Sequence, residues 1–110
     1  MTTALEAQFD EAMLDIYRRA KAEAHYNATR FLAMVSERGG LESARSLLNA
    51  PQESEGYTAL WLRKRLDLTV ERLVLEPKWW PLFSVAERRR AADRLRKCDF
   101  QGALPEGCEE

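Results

Sequence analysis

Histidine and cysteine, which supply most catalytic bases, nucleophiles and soft metal ligands, are scarce in this chain of 110 residues. His25 is the only histidine, and Cys98 and Cys108 are the only cysteines. A catalytic nucleophile usually needs a histidine base within hydrogen-bond reach, a structural zinc ion needs four cysteine or histidine ligands, and a secreted disulfide scaffold needs more cysteines. The sequence therefore predicts a protein that is not an enzyme and that binds no metal or cofactor.

Long apolar runs are missing as well. No stretch approaches the ~20 apolar residues of a membrane span, and the opening residues MTTALEAQFDEAM lack the basic and apolar regions of a signal peptide. No internal repeat or low-complexity stretch divides the chain. We therefore expect one cytoplasmic helical domain over residues 1–100, a loose acidic tail over residues 101–110, and no contact with a membrane.

Helical periodicity is what the sequence contains instead. From residue 5 to residue 24, apolar side chains recur every three or four positions and form one stripe. Shorter stripes follow after Asn27, over residues 41–49 and over residues 85–97. The fold class predicted is all-α, a compact single-domain bundle of about five to six helices around a central apolar helix.

The joint between the second and third helices is predicted in detail. Asn27 is a candidate cap for the second helix, because its side-chain oxygen can accept a free amide of the first turn. That helix should end at Gly39-Gly40, where glycine adopts a positive φ at little cost. We expect Gly39 or Gly40 to have a positive φ, because two helices meet there within one or two residues.

Residues 58–76 are apolar nearly all round, which is typical of a helix covered on several sides. The sequence leaves open whether they form one helix or two joined near Asp67. A β-strand over residues 68–75 is the alternative, but no second convincing strand is present to pair with it. Asp67 lies among leucines and a valine, so we expect it to be at least half buried and bonded to an arginine or to free amides.

The last helix begins with a capping box, in which Ser84 bonds the amide of Glu87 and Glu87 reaches back. Arg88 falls in the middle of the apolar arc of this helix. A guanidinium there needs a partner, and we predict a salt bridge to an Asp or Glu outside the helix. The alternative is that the helix is shifted and Arg88 is solvated.

Charge is distributed unevenly, with a net charge of −3 over residues 1–56, +6 over residues 57–97 and −4 from Cys98 onward. The outer face of the last helix carries most of the basic group: Arg89, Arg90, Arg94, Arg96 and Lys97. One interpretation is a face that contacts nucleic-acid phosphates. The other is a solvated face that the helix dipole favours and that opposite charges of the same domain neutralise.

Two adjacent tryptophans, Trp79 and Trp80, lie in a proline-bounded turn. Adjacent residues of a regular element cannot both face one core, and an exposed tryptophan is a frequent hot spot of protein interfaces. The alternative is that both rings pack under the turn.

The motifs YNATRFLAMV, RGGLESARSLL, GYTALW and RLDLTVERLVLEPKWWPLF, which follow Tyr17–Arg19 in this order, resemble an uncharacterised family of small bacterial all-helical proteins. Some of its members are fused to HNH-type nuclease domains. The resemblance extends from about residue 9 to residue 97 and implies a bacterial companion module of nucleic-acid or defence enzymes. With His25 alone, no nuclease residue carries over.

The leading hypothesis is a non-catalytic protein-interaction module, an accessory or regulator of a nucleic-acid-processing or defence complex. The alternatives are a small nucleic-acid-binding protein that uses the basic helix and an inhibitor carried by a mobile element. The sequence does not identify the partner protein or the oligomeric state.

Overall fold

The computed structural model describes residues 3–98, 100, 102 and 104–110. Within these residues the chain is all-α, as predicted, and the helices pack into one compact body. The α-helices are α1 (Ala4–Glu23), α2 (Thr29–Arg38), α3 (Gly40–Asn49), α4 (Glu55–Leu62), α5 (Val70–Leu73) and α6 (Val85–Lys97), with 3₁₀ turns at Leu66–Leu68 and Pro77–Leu82.

Helix α1 matches the predicted stripe closely. Its buried residues, Phe9, Met13, Ile16 and Ala20, follow the spacing of three or four that places side chains on one helix face. This face packs against α2 and α3. The apolar periodicity of residues 5–24 thus determines both the helix and its inward side.

Gly39 joins α2 to α3 with a φ of +82°, so the predicted positive φ is confirmed. Gly40 is required for a different reason, since its buried amide donates a 2.6 Å hydrogen bond to Oδ1 of Asp10 in α1. A Cβ on Gly40 would lie 2.7 Å from that oxygen and 3.0 Å from the Asp10 Cα. The absence of a side chain therefore lets α3 begin directly against α1.

The prediction that Asn27 caps α2 is wrong. Ala28 occupies the cap position, and no side chain bonds the amides of the first turn. Asn27 lies one residue earlier, and its Oδ1 accepts a 2.8 Å hydrogen bond from the Tyr17 hydroxyl. The Asn27 side chain therefore bonds a residue of α1 in place of the free amides at the start of α2.

The apolar segment 58–76 is not a continuous central helix. It consists of the end of α4, a 3₁₀ turn and the four-residue α5, and the described part of the chain contains no strand. The break follows Leu62, where Arg63 ends the helix and Lys64 has a φ of +59°. Thr69 then caps α5 by accepting the Arg72 amide. The core is nevertheless built largely from this segment, because six of its apolar side chains are buried: Leu60, Leu66, Leu68, Val70, Val74 and Leu75.

Asp67 has the predicted arginine partner, since its two oxygens accept hydrogen bonds of 3.0 and 3.1 Å from Arg65. Arg65 also bonds Glu23 at 2.7 Å. The Asp67 side chain is 45% exposed, so the expected burial of at least half is only just met, and the carboxylate lies at the rim of the domain. Exposed ion pairs of this kind contribute about 0–1 kcal/mol to stability. Loss of the Asp67 carboxylate should therefore cost less than loss of one partner of a buried ion pair.

Helix α6 begins with the predicted capping box. The Ser84 hydroxyl accepts the Glu87 amide, and the Glu87 carboxylate accepts the Ser84 amide. Ala91, Ala92 and Leu95 form the buried side of the helix, which packs against α5 and α3.

The acidic tail was predicted to be loose, and its described residues 104–110 instead fold back onto α6. Cys108 is buried, and the turn around it uses a φ of +83° at Gly107. A Cβ at Gly107 would lie 3.4 Å from the Trp80 ring. Burial of the Cys108 side chain, together with contacts to arginines of α6, accounts for the packing.

Candidate interaction surfaces

Arg94, one of the predicted outward cations of α6, points into the protein. Its side chain is 11% exposed and forms a 3.0 Å salt bridge to Glu71 of α5. It also donates to the carbonyl oxygens of Leu47 and Ala50, at 3.0 and 2.6 Å. Burial raises the pKa of the Glu71 carboxyl, and the Arg94 guanidinium opposes this rise. Arg94 thus holds α6, α5 and the end of α3 together and is not available to a partner.

Arg88 is buried, so its predicted structural role is confirmed, but the predicted carboxylate partner is wrong. Its guanidinium lies 5.2 Å from the centroid of the Trp80 ring and donates a 2.9 Å hydrogen bond to the Cys108 carbonyl oxygen. No salt bridge joins it to a carboxylate of the described residues. The tail supplies a backbone acceptor where the sequence suggested an acidic side chain.

The tail also forms hydrogen bonds with two of the outward arginines of α6, although both side chains stay exposed. Arg96 makes two hydrogen bonds to the Glu109 carboxylate, and Arg89 donates to the Glu109 carbonyl oxygen at 3.0 Å. The Arg96 guanidinium holds the pKa of the Glu109 carboxyl below its usual value. The predicted neutralisation of basic by acidic segments therefore takes a specific form, in which the Glu109 carboxylate pairs with Arg96 and the Glu109 backbone carbonyl accepts from Arg89.

Arg90 and Lys97 are the cations of the basic face that contact neither the tail nor a carboxylate of the described residues. Arg90 is exposed and donates to the Asn49 side chain of α3. Lys97 is exposed and forms no salt bridge within the described part of the chain. Two cations are a small footprint compared with the six to ten phosphate contacts that strong, salt-dependent binding of DNA involves.

Both candidate tryptophans pack under their turn. Trp79 is buried, with its ring edge-on to Phe9 at a centroid distance of 5.2 Å. Trp80 is partly buried between Arg88 and the tail, and its Nε1 donates a 2.7 Å hydrogen bond to the Leu75 carbonyl oxygen. A satisfied indole N–H and a covered ring are the features of a structural tryptophan. Neither residue presents a free docking surface.

Trp61 and Leu62, at the end of α4, are the exposed large apolar side chains of the described residues. Trp61 is 46% exposed and Leu62 is 73% exposed. They line a shallow depression of about 610 Å³ together with Lys64, Leu66, Cys98 and Phe100, among others. We call this group the Trp61 patch.

The sequence reading missed this patch because both residues belong to the apolar segment 58–76, which was expected to be covered throughout. A signal was present, since Trp61 and Leu62 directly precede Arg63, Lys64 and Arg65. Three consecutive cations need solvent or partners and therefore end the buried stretch. The two apolar residues just before them lie at the edge of the core.

The rim of the patch is basic. Lys64 lines the depression and is exposed, and it forms no salt bridge to a described residue. Asp67, the acidic residue of the lining, is bonded to Arg65. An apolar centre beside an unneutralised lysine complements a partner with an apolar face and acidic edges.

The described residues hold no cluster of three or more histidine, cysteine, aspartate or glutamate side chains that could bind a metal ion. Among the same residues, none of the helices combines the length and apolar character that crossing a bilayer requires.

No known protein family, curated protein or solved structure matches the chain.

Proposed function

We propose that the protein is a non-catalytic interaction module that docks on another protein through the Trp61 patch. The supporting observation is that a tryptophan and a leucine are left exposed side by side at a helix end, while the other large apolar side chains of the described residues are at least partly buried. Tryptophan is enriched among the residues that dominate binding energy at protein interfaces.

The proposed occupant is a partner protein with an apolar face bordered by carboxylates. The apolar face would cover Trp61 and Leu62, and a carboxylate would meet Lys64. The resemblance of the motifs to companion modules of nucleic-acid and defence enzymes supports a partner in such a complex, with this protein as its accessory or regulator. The arrangement of α6 does not favour the nucleic-acid-binding alternative, because its arginines are mostly engaged within the domain.

The test is a binding experiment with purified components. A partner captured from the native host by the wild-type protein is purified, and its affinity is measured by calorimetry against Trp61→Ala, Lys64→Glu and the control Arg90→Ala. We expect a loss of about tenfold or more for Trp61→Ala, a smaller loss for Lys64→Glu, and no change for Arg90→Ala.

Three results would contradict the proposal. The first is an affinity that Trp61→Ala leaves unchanged. The second is a self-association in sedimentation experiments that Trp61→Ala abolishes, which would make a second copy the occupant. The third is tight binding to random DNA with a steep salt dependence, which would restore the α6 alternative.

A further inference from the structure

A second concavity lies on another part of the molecule, between α1, the start of α2, α4 and the 3₁₀ turn Leu66–Leu68. Its volume is about 380 Å³, near the lower end of the roughly 300–1,000 Å³ of small-molecule pockets. The floor consists mostly of buried apolar side chains, Ile16, Ala20, Leu60, Leu68 and Val70, and the buried polar residues Thr69 and Glu71 lie beside them. We call it the α1–α4 cleft.

The walls of the cleft are aromatic. Tyr17, Tyr26 and Phe31 line it and remain partly exposed, and Tyr57 lines it from a buried position. The Tyr17 hydroxyl is bonded to Asn27, and the Tyr26 ring lies 5.2 Å from the Arg63 guanidinium, so two of the walls are held in place. Aromatic walls over an apolar floor favour an aromatic ring as the ligand group. Contacts between aromatic rings are more favourable than the burial of their apolar surface alone would make them.

The mouth carries one charge of each sign. Nη1 of Arg30, in the first turn of α2, lies 3.2 Å from Oε2 of Glu55, at the start of α4. Their side chains are 91% and 75% exposed, so the pair is open to water and contributes little by itself. A ligand that separates the two groups loses little, provided that it offers each of them a partner.

We propose that the α1–α4 cleft binds a free aromatic α-amino acid, with its ring on the apolar floor, its carboxylate at Arg30 and its ammonium at Glu55. A simple carboxylic acid would be attracted by Arg30 and repelled by Glu55, and a simple amine would meet the opposite pattern. Only a zwitterion satisfies both charges of the mouth. The first turn of α2 has no side-chain cap, and of its amides those of Thr29 and Leu32 donate to the carbonyl oxygens of Asn27 and Ala28. The amides of Arg30 and Phe31 can therefore donate to the same carboxylate.

The test is a titration of the full chain with L-phenylalanine, followed by amide chemical shifts in NMR. A ligand of this size in a partly open site is expected to bind with a Kd of about 1 mM or below. The shifts should saturate and concentrate on residues that line the cleft. Two matched probes isolate the charges, since N-acetyl-L-phenylalanine lacks the ammonium and L-phenylalaninamide lacks the carboxylate. Each should bind about fivefold or more weakly, because one mouth residue is then unpaired.

Variants at the mouth assign the contacts. Arg30→Gln should weaken L-phenylalanine several-fold without further weakening L-phenylalaninamide. Glu55→Gln should do the same for L-phenylalanine without weakening N-acetyl-L-phenylalanine. Arg18→Gln is the control, because Arg18 forms a comparable exposed ion pair with Glu11 outside the cleft lining and should leave every affinity unchanged.

Several outcomes would overturn the proposal. One is the absence of saturable shifts with both L-phenylalanine and L-tryptophan at about 10 mM. Another is equal binding of the three phenylalanine probes, which would mean that the mouth does not recognise a zwitterion. A third is tighter binding of N-acetyl-L-phenylalanine, which would indicate a site for a carboxylate alone.

Discussion

The end of α4 and the outer face of α6 both differ from what their amino-acid composition predicts, namely exposed charged side chains and buried apolar ones. Helix α6 is rich in arginine, yet Arg88 is buried, Arg94 is largely buried, and Arg89 and Arg96 contact the tail. The segment containing α4 is rich in leucine, yet Trp61 and Leu62 are exposed. The comparison teaches that residue type alone does not decide which side chains a small domain leaves available.

The physical reason lies in what each side chain can reach. A guanidinium has five donors on a long stem, so it can satisfy helix-end carbonyls and carboxylates of the same domain. Arg94 reaches the carbonyls at the end of α3. A tryptophan at a helix end has no such option, because its coverage depends on whether another element passes over it.

The largest effect that tests this comparison is expected at Arg94. Arg94→Ala should lower the free energy of unfolding by about 3–5 kcal/mol, because it leaves Glu71 buried without its cation. Chemical denaturation measures the loss. Arg90→Ala, on the same helix but exposed, is the matched control and should change stability by less than about 0.5 kcal/mol.

Equal losses for the two variants would mean that Arg94 is a surface residue and that α6 remains available to a partner. Should Arg94→Ala fail to fold, the double variant Arg94→Met with Glu71→Leu decides the matter. It should recover most of the stability, since apolar replacement of a buried ion pair is often nearly neutral.

An intermediate effect is expected at Arg88. Arg88→Ala removes the hydrogen bond to the Cys108 carbonyl and the contact with the Trp80 ring, which together should cost about 1–3 kcal/mol. Amide hydrogen exchange should accelerate over residues 106–110, because the tail loses its buried anchor. Arg89→Ala, which removes only an exposed contact with the tail, should have a smaller effect on both measurements. A silent Arg88→Ala would show that the tail does not depend on Arg88.

The smallest effect concerns pH. The hydrogen bonds from Arg96 lower the pKa of Glu109 in the folded protein relative to the unfolded chain. Because the pKa is lower in the folded protein, the Glu109 carboxylate stabilises the folded state at every pH above its ordinary pKa of about 4.5. This contribution to stability is lost as the pH falls through the folded-state pKa. The contact between tail and helix should therefore weaken in acid.

A carboxyl-carbon NMR titration of Glu109 measures this directly. Arg96→Gln should return the pKa of Glu109 toward its ordinary value, and Lys97→Gln should leave it unchanged. A titration of Glu109 that is the same with and without Arg96 would show that the tail does not neutralise α6.

Local features of the chain were predictable because neighbouring residues determine them. The stripe of α1, the positive φ at Gly39 and the capping box of Ser84 and Glu87 each depend on contacts within a few positions. The prediction for Asn27 failed where a residue ten positions away, Tyr17, claimed the side chain.

The candidate sites were not predictable to the same degree. Whether Trp80 is free depends on a tail more than 20 residues further along the chain, and whether Arg94 is free depends on α5 and on the end of α3. The α1–α4 cleft joins Arg30 to Glu55 across 25 positions, and no local motif announces it.

The amino-acid sequence by itself determined that this protein is all-α, where its longest helices begin and end, and which faces of them are apolar. Helix periodicity and capping are short-range effects, and they survive any arrangement of the helices. Only the tertiary structure decided that four of the five arginines of α6 turn inward or contact the tail, and that Trp61 and Leu62 are exposed. Whether a side chain is free to contact a partner depends on contacts between segments far apart in the sequence. The local pattern of residue types does not reveal these contacts.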